Sequence, residues 1–373
     1  MIKVLELIDG GSIGGGQTHI LSICRSINKN EFDLTVSASS EGEFKNLILS
    51  GNFNFTDIHL PKIYRPKYLQ ALKDIVGLGE FKIIHSHGGV AGMYARFLKK
   101  KYGMLKVIHT IHGIHYINSK NVLRNRVSKA IEQHLLPYAD RYICVSDGDL
   151  SLAVEHKLVL TKNTVVIKNG IDIGKFRHAK KEQALMNELS ISEQDFIIGN
   201  VSRFDYQKNQ RFIINFAPEI LKRIPNAKFL FIGDGKYFEK VKSLAENLGI
   251  MNKVIFTGER KDVERFYPLI DIFVFPSLWE GLSITLIEAL ASGKCIMASG
   301  IPQNKELIND DVNGVLFSPE DSDGFLRKLF DIFNSTEKRE LLIAQAIISS
   351  VNYSEKYMTD KIQRIYSELS GVQ

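Results

Sequence analysis

The feature that most constrains this chain is the stretch from Ile270 to Gly293. The run Ile270-Asp271-Ile272-Phe273-Val274-Phe275 is β-branched and aromatic and stops at Pro276, so it reads as a buried strand that gives way to a loop. Thr285 to Ala291 then reads as a helix, closed by Gly293. A loop at the carboxyl end of a strand that feeds a helix amino terminus is where an open α/β sheet takes an anionic ligand. Two carboxylates stand here, Glu280 in the loop and Glu288 inside the helix, so they need not do the same job. A glutamate near a helix start can simply complement the macrodipole. Glu288, however, is flanked by Leu286, Ile287, Ala289 and Leu290, where an unpaired carboxylate is costly to bury.

The strand-loop-helix pattern recurs along the chain. Strands are expected at Lys3–Ile8, Asp33–Val36, Phe53–Leu60, Lys82–His85, Lys106–His109, Arg141–Val145 and Thr164–Ile167, then from Phe196, Lys228, Lys253 and Cys295. Helical patterns lie between them at Gln17–Ile27, Lys67–Leu78 and Val90–Lys100, with a terminal helix from Ser354 to Leu369. Such alternation predicts parallel sheets with helices on both faces, and 373 residues suit two domains better than one core. The charged segment Lys175 to Glu188 reads as a connector, and Glu306 is expected to open a short helix.

Several function classes recede on the same reading. No apolar run approaches the roughly 18 residues of a membrane span. The first segment carries Glu6 and Asp9 within its apolar run, which marks a first strand and not a signal peptide, so a cytoplasmic protein is expected. Cys24, Cys144 and Cys295 lack metal or redox spacing and read as buried thiols. The glycine loop Gly10-Gly11-Ser12-Ile13-Gly14-Gly15-Gly16 lets backbone N–H groups approach a ligand, but it is not a clean G-x-G-x-x-G, and the strand at Asp33–Val36 does not end in a ribose-binding acid. A dinucleotide site is therefore disfavoured. The histidines in H-S-H at 85–87 and H-T-I-H-G-I-H at 109–115 leave strands without an accompanying carboxylate, which disfavours a metal. Contact with a sugar or phosphate suits them better, the alternative being histidines satisfied by backbone groups. In Ser146-Asp147-Gly148-Asp149 the serine reads as an N-cap with both acids in the first helical turn.

Charge is unevenly placed. Residues 1–180 carry 25 Lys and Arg against 15 Asp and Glu, and the remainder 23 against 27. A basic first half points to an anionic partner, either a membrane surface or a phosphate-bearing acceptor; no nucleic-acid motif accompanies it. From Ser119 to Leu136 a basic amphipathic helix is expected, with Leu123, Val127 and Ile131 on its apolar stripe. It either lies on an anionic bilayer or packs its stripe into the core.

The E-G-x-x-x-x-x-x-E spacing of Glu280 and Glu288, its Pro-Ser flank before and its Ala-x-Ala-x-Gly flank after, resembles the donor site of retaining glycosyltransferases of family 4, which have the GT-B fold. Further motifs extend the resemblance over nearly the whole chain: Gly15-Gly16, T-x-H-G at His112, G-x-x-S-R at Arg203 with Lys208-Asn209, and N-G-x-D at Asn169. It implies two Rossmann-like parallel-sheet domains facing a central cleft, an acceptor-binding one over 1–172 with the helix 354–373, and a donor-binding one over 190–353. It implies transfer of a hexosyl or N-acetylhexosaminyl group from a UDP- or GDP-linked sugar to an acceptor hydroxyl, with retention. Arg203 and Lys208 would neutralise the diphosphate with help from amides at Gly281, Leu282 and Ser283, which leaves no need for a metal. Glu288 would hold the ribose and Glu280 the transferred sugar, with His112 beside the anomeric centre. Gly15 and Gly16 would face the phosphates, and Gly258 to Arg260 the base. Gly16, Gln17 and His87 would lie on the acceptor side. The chain departs from the family at Gln17, where glutamate is common, and at Ile301-Pro302-Gln303, where two glycines are. The family's habits imply work on cell-surface polysaccharide, lipopolysaccharide or lipid-linked glycan, at the inner face of the plasma membrane. The rivals are a catalytically silent binding protein of the same fold and a nucleotide-sugar epimerase.

Overall fold

The structure is a computed structural model that describes residues 1–103, 105–114 and 122–371. The chain divides into two compact units, Met1–Gly170 with Glu355–Gln373, and Ile171–Ser354. In the first unit the strands are β1 (Ile2–Ile8), β2 (Phe32–Ala38), β3 (Asn54–Asp57), β4 (Ile83–His87), β5 (Lys106–Ile111), β6 (Arg141–Cys144) and β7 (Thr164–Val166). They form one sheet in the order β3-β2-β1-β4-β5-β6-β7, every pair parallel. The helices α1 (Gly15–Ser26), α2 (Phe44–Ser50), α3 (Pro66–Gly79), α4 (Gly89–Tyr102), α5 (Val122–His134) and α6 (Asp147–Glu155) connect them.

The second unit repeats the plan. It opens on two short helices, α7 (Ile173–Arg177) and α8 (Gln183–Glu188), and its strands are β8 (Phe196–Val201), β9 (Ala227–Ile232), β10 (Val254–Phe256), β11 (Ile272–Phe275), β12 (Cys295–Ser299) and β13 (Val315–Phe317). The sheet order is β10-β9-β8-β11-β12-β13, again all parallel. Between and after them run α9 (Arg211–Arg223), α10 (Phe238–Asn247), α11 (Ile284–Ala291), α12 (Pro302–Lys305), α13 (Ser322–Asn334) and α14 (Thr336–Ser350). The last helix, α15 (Glu355–Ser370), returns to the first unit, where Met358, Ile362, Ile365 and Tyr366 join Val4, Ile20, Ile23 and Phe32 in one apolar cluster. Both faces of the first sheet are covered, as parallel strands buried on two sides require.

Three sequence expectations change. The segment 175–188 is no bare connector: Phe176, Leu185 and Met186 are buried, so its apolar residues seat α7 and α8 on the second unit. Glu306 closes α12 instead of opening it, because Pro302, which lacks an N–H, is suited to the first helical turn. The strands at His85 and His109 run two residues further than expected, to His87 and Ile111, which takes the first histidine motif into the sheet. The expected cap at Ser146 is formed, its hydroxyl accepting from the Asp149 amide at 2.8 Å. All three cysteines are free and buried. Along α5, Leu123 is 74% and Val127 53% exposed, so the first turns of that stripe are not core, and the expected start at 119–121 lies outside the described residues. Among the described residues no helix is long and apolar enough to cross a membrane.

Each sheet has one place where the strand order reverses, between β1 and β4 in the first and between β8 and β11 in the second. The connections there leave in opposite directions, so the carboxyl ends of those strands open a crevice for a ligand.

Candidate active site

In the second unit, the loops after β8 and β11 meet at that reversal. Asn200, buried at the end of β8, donates from Nδ2 to the Val274 carbonyl at 2.8 Å, which ties the two strands together. The Ser202 hydroxyl donates to Asn200 Oδ1 at 2.6 Å, and Gln210 donates to Ser202 Oγ and to the Arg203 carbonyl at 2.8 and 2.9 Å. The backbone of the Arg203 loop is thus fixed from below, while the guanidinium stays 69% exposed with Asp205 3.4 Å away. A backbone bond from Leu278 to the Gln207 carbonyl, 2.8 Å, joins the two loops, and Gln207 Nε2 donates to the Trp279 carbonyl at 2.7 Å and lies 3.3 Å from Glu280 Oε2.

These bonds bring Lys208 and Glu280 together, 72 residues apart in sequence. Lys208 Nζ donates to Glu280 Oε1 at 2.6 Å, with the carboxylate almost wholly buried. Lys208 also lies over the Phe275 ring, 5.1 Å from its centroid. Asn209 follows in the left-handed region, φ 53°, which turns the chain into the next helix. The pair is therefore a charge centre held in place before any ligand arrives.

Glu288 occupies the second turn of α11, whose N-cap is Ser283, its hydroxyl accepting from the Leu286 amide. Tyr267, itself buried, donates to Glu288 Oε2 at 2.9 Å. Burial raises the Glu288 carboxyl to about 7, against the opposing pull of that hydrogen bond and of Lys175. Gly258 sits at φ +70° and bridges to Gly233, with nothing within 4 Å of where a Cβ would stand. Arg260 is already committed: it forms a two-pronged pair with Asp262 at 2.9 Å on each arm, reaches Glu188 at 3.3 Å and stacks 4.8 Å from the Phe266 ring centroid.

In the first unit the reversal lies between β1 and β4, where register sets Glu6 opposite His85 and Ile8 opposite His87. The histidine motif therefore does have a carboxylate, supplied by the neighbouring strand. His87 Nε2 lies 2.8 Å from Glu6 Oε2, and His87 Nδ1 lies 3.0 Å from His112 Nε2. Glu6 Oε1 accepts from the Tyr366 hydroxyl of α15 at 2.5 Å, and that hydroxyl is 2.6 Å from His85 Nδ1. His19, on α1, stands edge-on to His112 with ring centroids 4.9 Å apart and meets Asn169 Oδ1 at 2.9 Å. A Cβ on Gly16 would stand 3.6 Å from the His112 ring, so this position brings the glycine loop against the imidazole. Gln17 Nε2 is turned back to the Gly10 carbonyl at 3.1 Å, and Gly15 has nothing within 4 Å of where a Cβ would stand. His109 stays outside the group, meeting Ser86 Oγ at 3.1 Å, and His115 lies outside the described residues.

Burial favours the neutral form of His19, His87, His112 and Glu6 alike, yet Glu6 departs from that rule. Burial pushes its carboxyl up, but His85 and His87 together outweigh this and hold it well below the usual carboxylate range. Burial first, then neighbouring imidazoles, brings His87 down to about 4 and His19 to about 3, and holds His112 well below its ordinary value. Glu6 is thus an ionised carboxylate lying beside the neutral imidazole of His87, with His19 and His112 neutral beyond it. Sequence reading missed Glu6, His19, Tyr366 and Tyr267. A lone acid inside the apolar first strand was the one available signal.

Two α/β units with all-parallel sheets and polar loops at both order reversals define a doubly wound, ligand-binding class of protein. The comparisons narrow it. The model for Glycosyltransferase Family 4 matches residues 13–175, and that for Glycosyl transferases group 1 matches residues 181–348. The chain belongs to the family 4 glycosyltransferases of GT-B fold and is a glycosyltransferase acting on nucleotide sugars. It is 26% identical over 312 residues to the UDP-Gal:alpha-D-GlcNAc-diphosphoundecaprenol alpha-1,3-galactosyltransferase of Escherichia coli, covering 81% of this chain and 79% of that one. It is 29% identical over 308 residues to the alpha-monoglucosyldiacylglycerol synthase of Streptococcus pneumoniae, covering 78% and 65%. Its fold is similar to that of Anabaena HepE in complex with UDP-glucose, with a TM-score of 0.85 at 20% identity over 99% of this chain and 100% of the other.

Proposed function

We propose that the chain transfers a hexosyl or N-acetylhexosaminyl group from a UDP- or GDP-linked sugar to an acceptor hydroxyl, with retention of anomeric configuration. The observation that carries this is the Lys208–Glu280 pair at the β8/β11 reversal, with Arg203 exposed beside it on the loop after β8. Arg203 and Lys208 supply fixed positive charge for the diphosphate, and the amides from Gly281 to Ser283 at the start of α11 add to it. That electrostatic stabilisation of the leaving group makes a metal unnecessary, so turnover is expected to persist in a chelator. Glu280 accepts from hydroxyls of the transferred sugar with the lone pairs that Lys208 and Gln207 leave free. Glu288 accepts from the ribose, and the Gly258–Arg260 loop borders the base, through main-chain groups because the Arg260 side chain is occupied. His112 meets the transferred sugar, and His87, Gly16 and Gln17 serve the acceptor side. The leaving phosphate takes the acceptor proton, so no strong base is needed.

The acceptor we favour is a lipid-linked or cell-surface glycan at the inner face of the plasma membrane. The basic first half and the E. coli and S. pneumoniae relatives, whose names specify an undecaprenol-linked acceptor and a diacylglycerol product, support this. The test of the donor site is a thermal-shift screen of nucleoside diphosphates and their sugars without added metal. One diphosphate is expected to raise the melting temperature, and Arg203→Ala and Glu288→Ala to abolish the shift. No shift from any of them would favour a silent binding protein. The anomeric configuration of the product, read by NMR, decides retention.

A further inference from the structure

We propose that Glu6 acts through His87 to fix the tautomer of His112, so that the first unit offers two buried imidazole lone pairs to a hydroxyl-bearing ligand and refuses an anionic one. The inference rests on the glycosyltransferase reading for the identity of that ligand, and for the tautomer on hydrogen-bond geometry with His87 neutral, as its burial favours.

The argument runs along the hydrogen bonds. Glu6 is fully buried and accepts from the Tyr366 hydroxyl at 2.5 Å and from His87 Nε2 at 2.8 Å, with His85 Nδ1, which meets the Tyr366 hydroxyl, 3.3 Å away. A carboxylate has only lone pairs to give, so His87 must carry its proton on Nε2 and leave Nδ1 bare. The bare Nδ1 can only accept, so His112, 3.0 Å away, must carry its proton on Nε2. His112 Nδ1 is then a lone pair, and it is buried without a partner among the described residues. The same logic applies to His19. Its Nδ1 faces the Asn169 carbonyl oxygen at 2.9 Å and must donate, which leaves Nε2 bare, buried and unpartnered among the described residues. A buried acceptor without a donor is costly, and a ligand that donates relieves the cost.

Three histidines with ring nitrogens within 4.8 Å of one another invite a metal ion. His87, however, has both nitrogens engaged, so only two lone pairs remain, fewer than the three protein ligands of a catalytic zinc site. The overlapping group Glu6, His85 and His87 is likewise tied up, with Thr110 Oγ1 2.7 Å from His85 Nε2. A fully ionised anion such as a phosphodiester, a sulfate or a carboxylate would set its own lone pairs against His112 Nδ1 and His19 Nε2. A sugar hydroxyl brings the proton both lack. Glu6 touches no substrate in this scheme and is a positioning residue.

The test is nitrogen-15 NMR of histidine-labelled full-length protein near pH 7.5, which reads the proton on each ring nitrogen. His112 is expected to be protonated at Nε2 and bare at Nδ1, and Glu6→Gln to mix or invert that state. A wild-type His112 carrying its proton on Nδ1, or on both nitrogens, overturns the proposal whatever the variants do. Glucose at high concentration should shift the His19 and His112 signals and sulfate, which carries no proton at this pH, should not; a shift by sulfate, by neither, or by stoichiometric zinc overturns the ligand class. In turnover of the nucleotide sugar found by the thermal screen, Glu6→Gln should lower kcat on the order of tenfold or more with donor KM unchanged, since a wrong tautomer acts on the chemical step. Tyr366→Phe also removes a Glu6 partner but spares the His87–His112 link, so its kcat should stay within about twofold of wild type. Equal losses in both variants would mean a purely structural role. Absence of any wild-type turnover would sink the transferase reading, while the proton positions would still decide the tautomer.

Discussion

The two order reversals share a topology and differ in electrostatics. At the second, Arg203 is an exposed charge beside the largely buried ion pair of Lys208 and Glu280, and Glu288 is a carboxyl that burial lifts to about 7. At the first, the neutral imidazoles of His19, His87 and His112 lie over Glu6, a carboxylate held ionised. A parallel sheet supplies the crevice in each case, and the residues at the strand ends decide whether it suits an anion or a neutral polyol. The contrast agrees with the glycosyl transfer proposed above, where one partner carries a diphosphate and the other offers a hydroxyl.

Breaking the charged site should cost most. Lys208→Ala removes positive charge from the diphosphate and leaves Glu280 without its cation, so kcat/KM should fall by about 10²–10³-fold. Because the two groups act as a unit, Lys208→Ala/Glu280→Ala should be little worse than either single variant, as measured by initial rates of donor hydrolysis. Additive losses would show that the pair is not a unit, and undiminished hydrolysis in Glu280→Ala would remove it from the site.

Next in size is the response to pH, which has opposite sign in the two units. Glu288 holds its proton more tightly when folded than the ordinary value of 4.5 allows. Its contribution to stability is complete below about 4.5 and is lost as pH rises through about 7. Glu6, His19 and His87 are depressed, so their contribution is present above their ordinary values and is lost on acidification, for His87 between 6.5 and about 4. Amide exchange corrected for its intrinsic pH dependence should therefore show β1 and β4 less protected at pH 5 than at pH 8, and α11 more. A carboxylate accepts from ribose hydroxyls better than a carboxyl does, so nucleotide affinity should rise severalfold as pH rises through about 7. Glu288→Gln should flatten that profile in calorimetry. A profile unchanged in the variant would take Glu288 out of the ribose contact.

These sites were unequally legible in sequence. Strand-ending motifs such as Pro276-Ser277 and Ser202-Arg203 are local, so the loops at the second reversal, and the residues on them, could be placed by spacing alone. The contact between Lys208 and Glu280 could not, because it depends on β8 and β11 being neighbours, and strand order is not written in either segment. Glu6 was harder still. Its partners come from β4 and from α15, so only the sheet register and the return of the last helix show why an acid stands in an apolar strand. Beyond the sites, α13 and α14 were missed because no motif marks them, although Phe325, Leu329 and Ile332 recur at helical spacing. The 175–188 segment was misread because its charges outnumber the few apolar residues that seat it.

Tyr366→Phe measures how far the neutral site supports its unit's fold. It deletes a buried hydrogen bond to a charged acceptor without opening a cavity, which should lower unfolding free energy by about 1–3 kcal/mol, read in urea. A change near zero would show that His85 and His87 alone keep Glu6 satisfied.

The smallest effect is expected on the folded protein and the clearest at a membrane. Leu123 and Val127 are exposed on α5, beside Arg126 and Lys129, so they contribute little to the core and Leu123→Ser/Val127→Ser should change stability by less than about 0.5 kcal/mol. If α5 lies on an anionic bilayer, those two side chains enter the interface and the cations meet the headgroups. The double variant should then float with anionic liposomes several-fold less than wild type, and neither should float with neutral ones. Equal flotation of the two proteins would move the basic surface elsewhere in the first half, where Lys99, Lys100 and Lys101 close α4. No flotation of either would leave the positive charge of that half to a phosphate-bearing acceptor, and would turn the contrast between the two reversals into one between two soluble substrates.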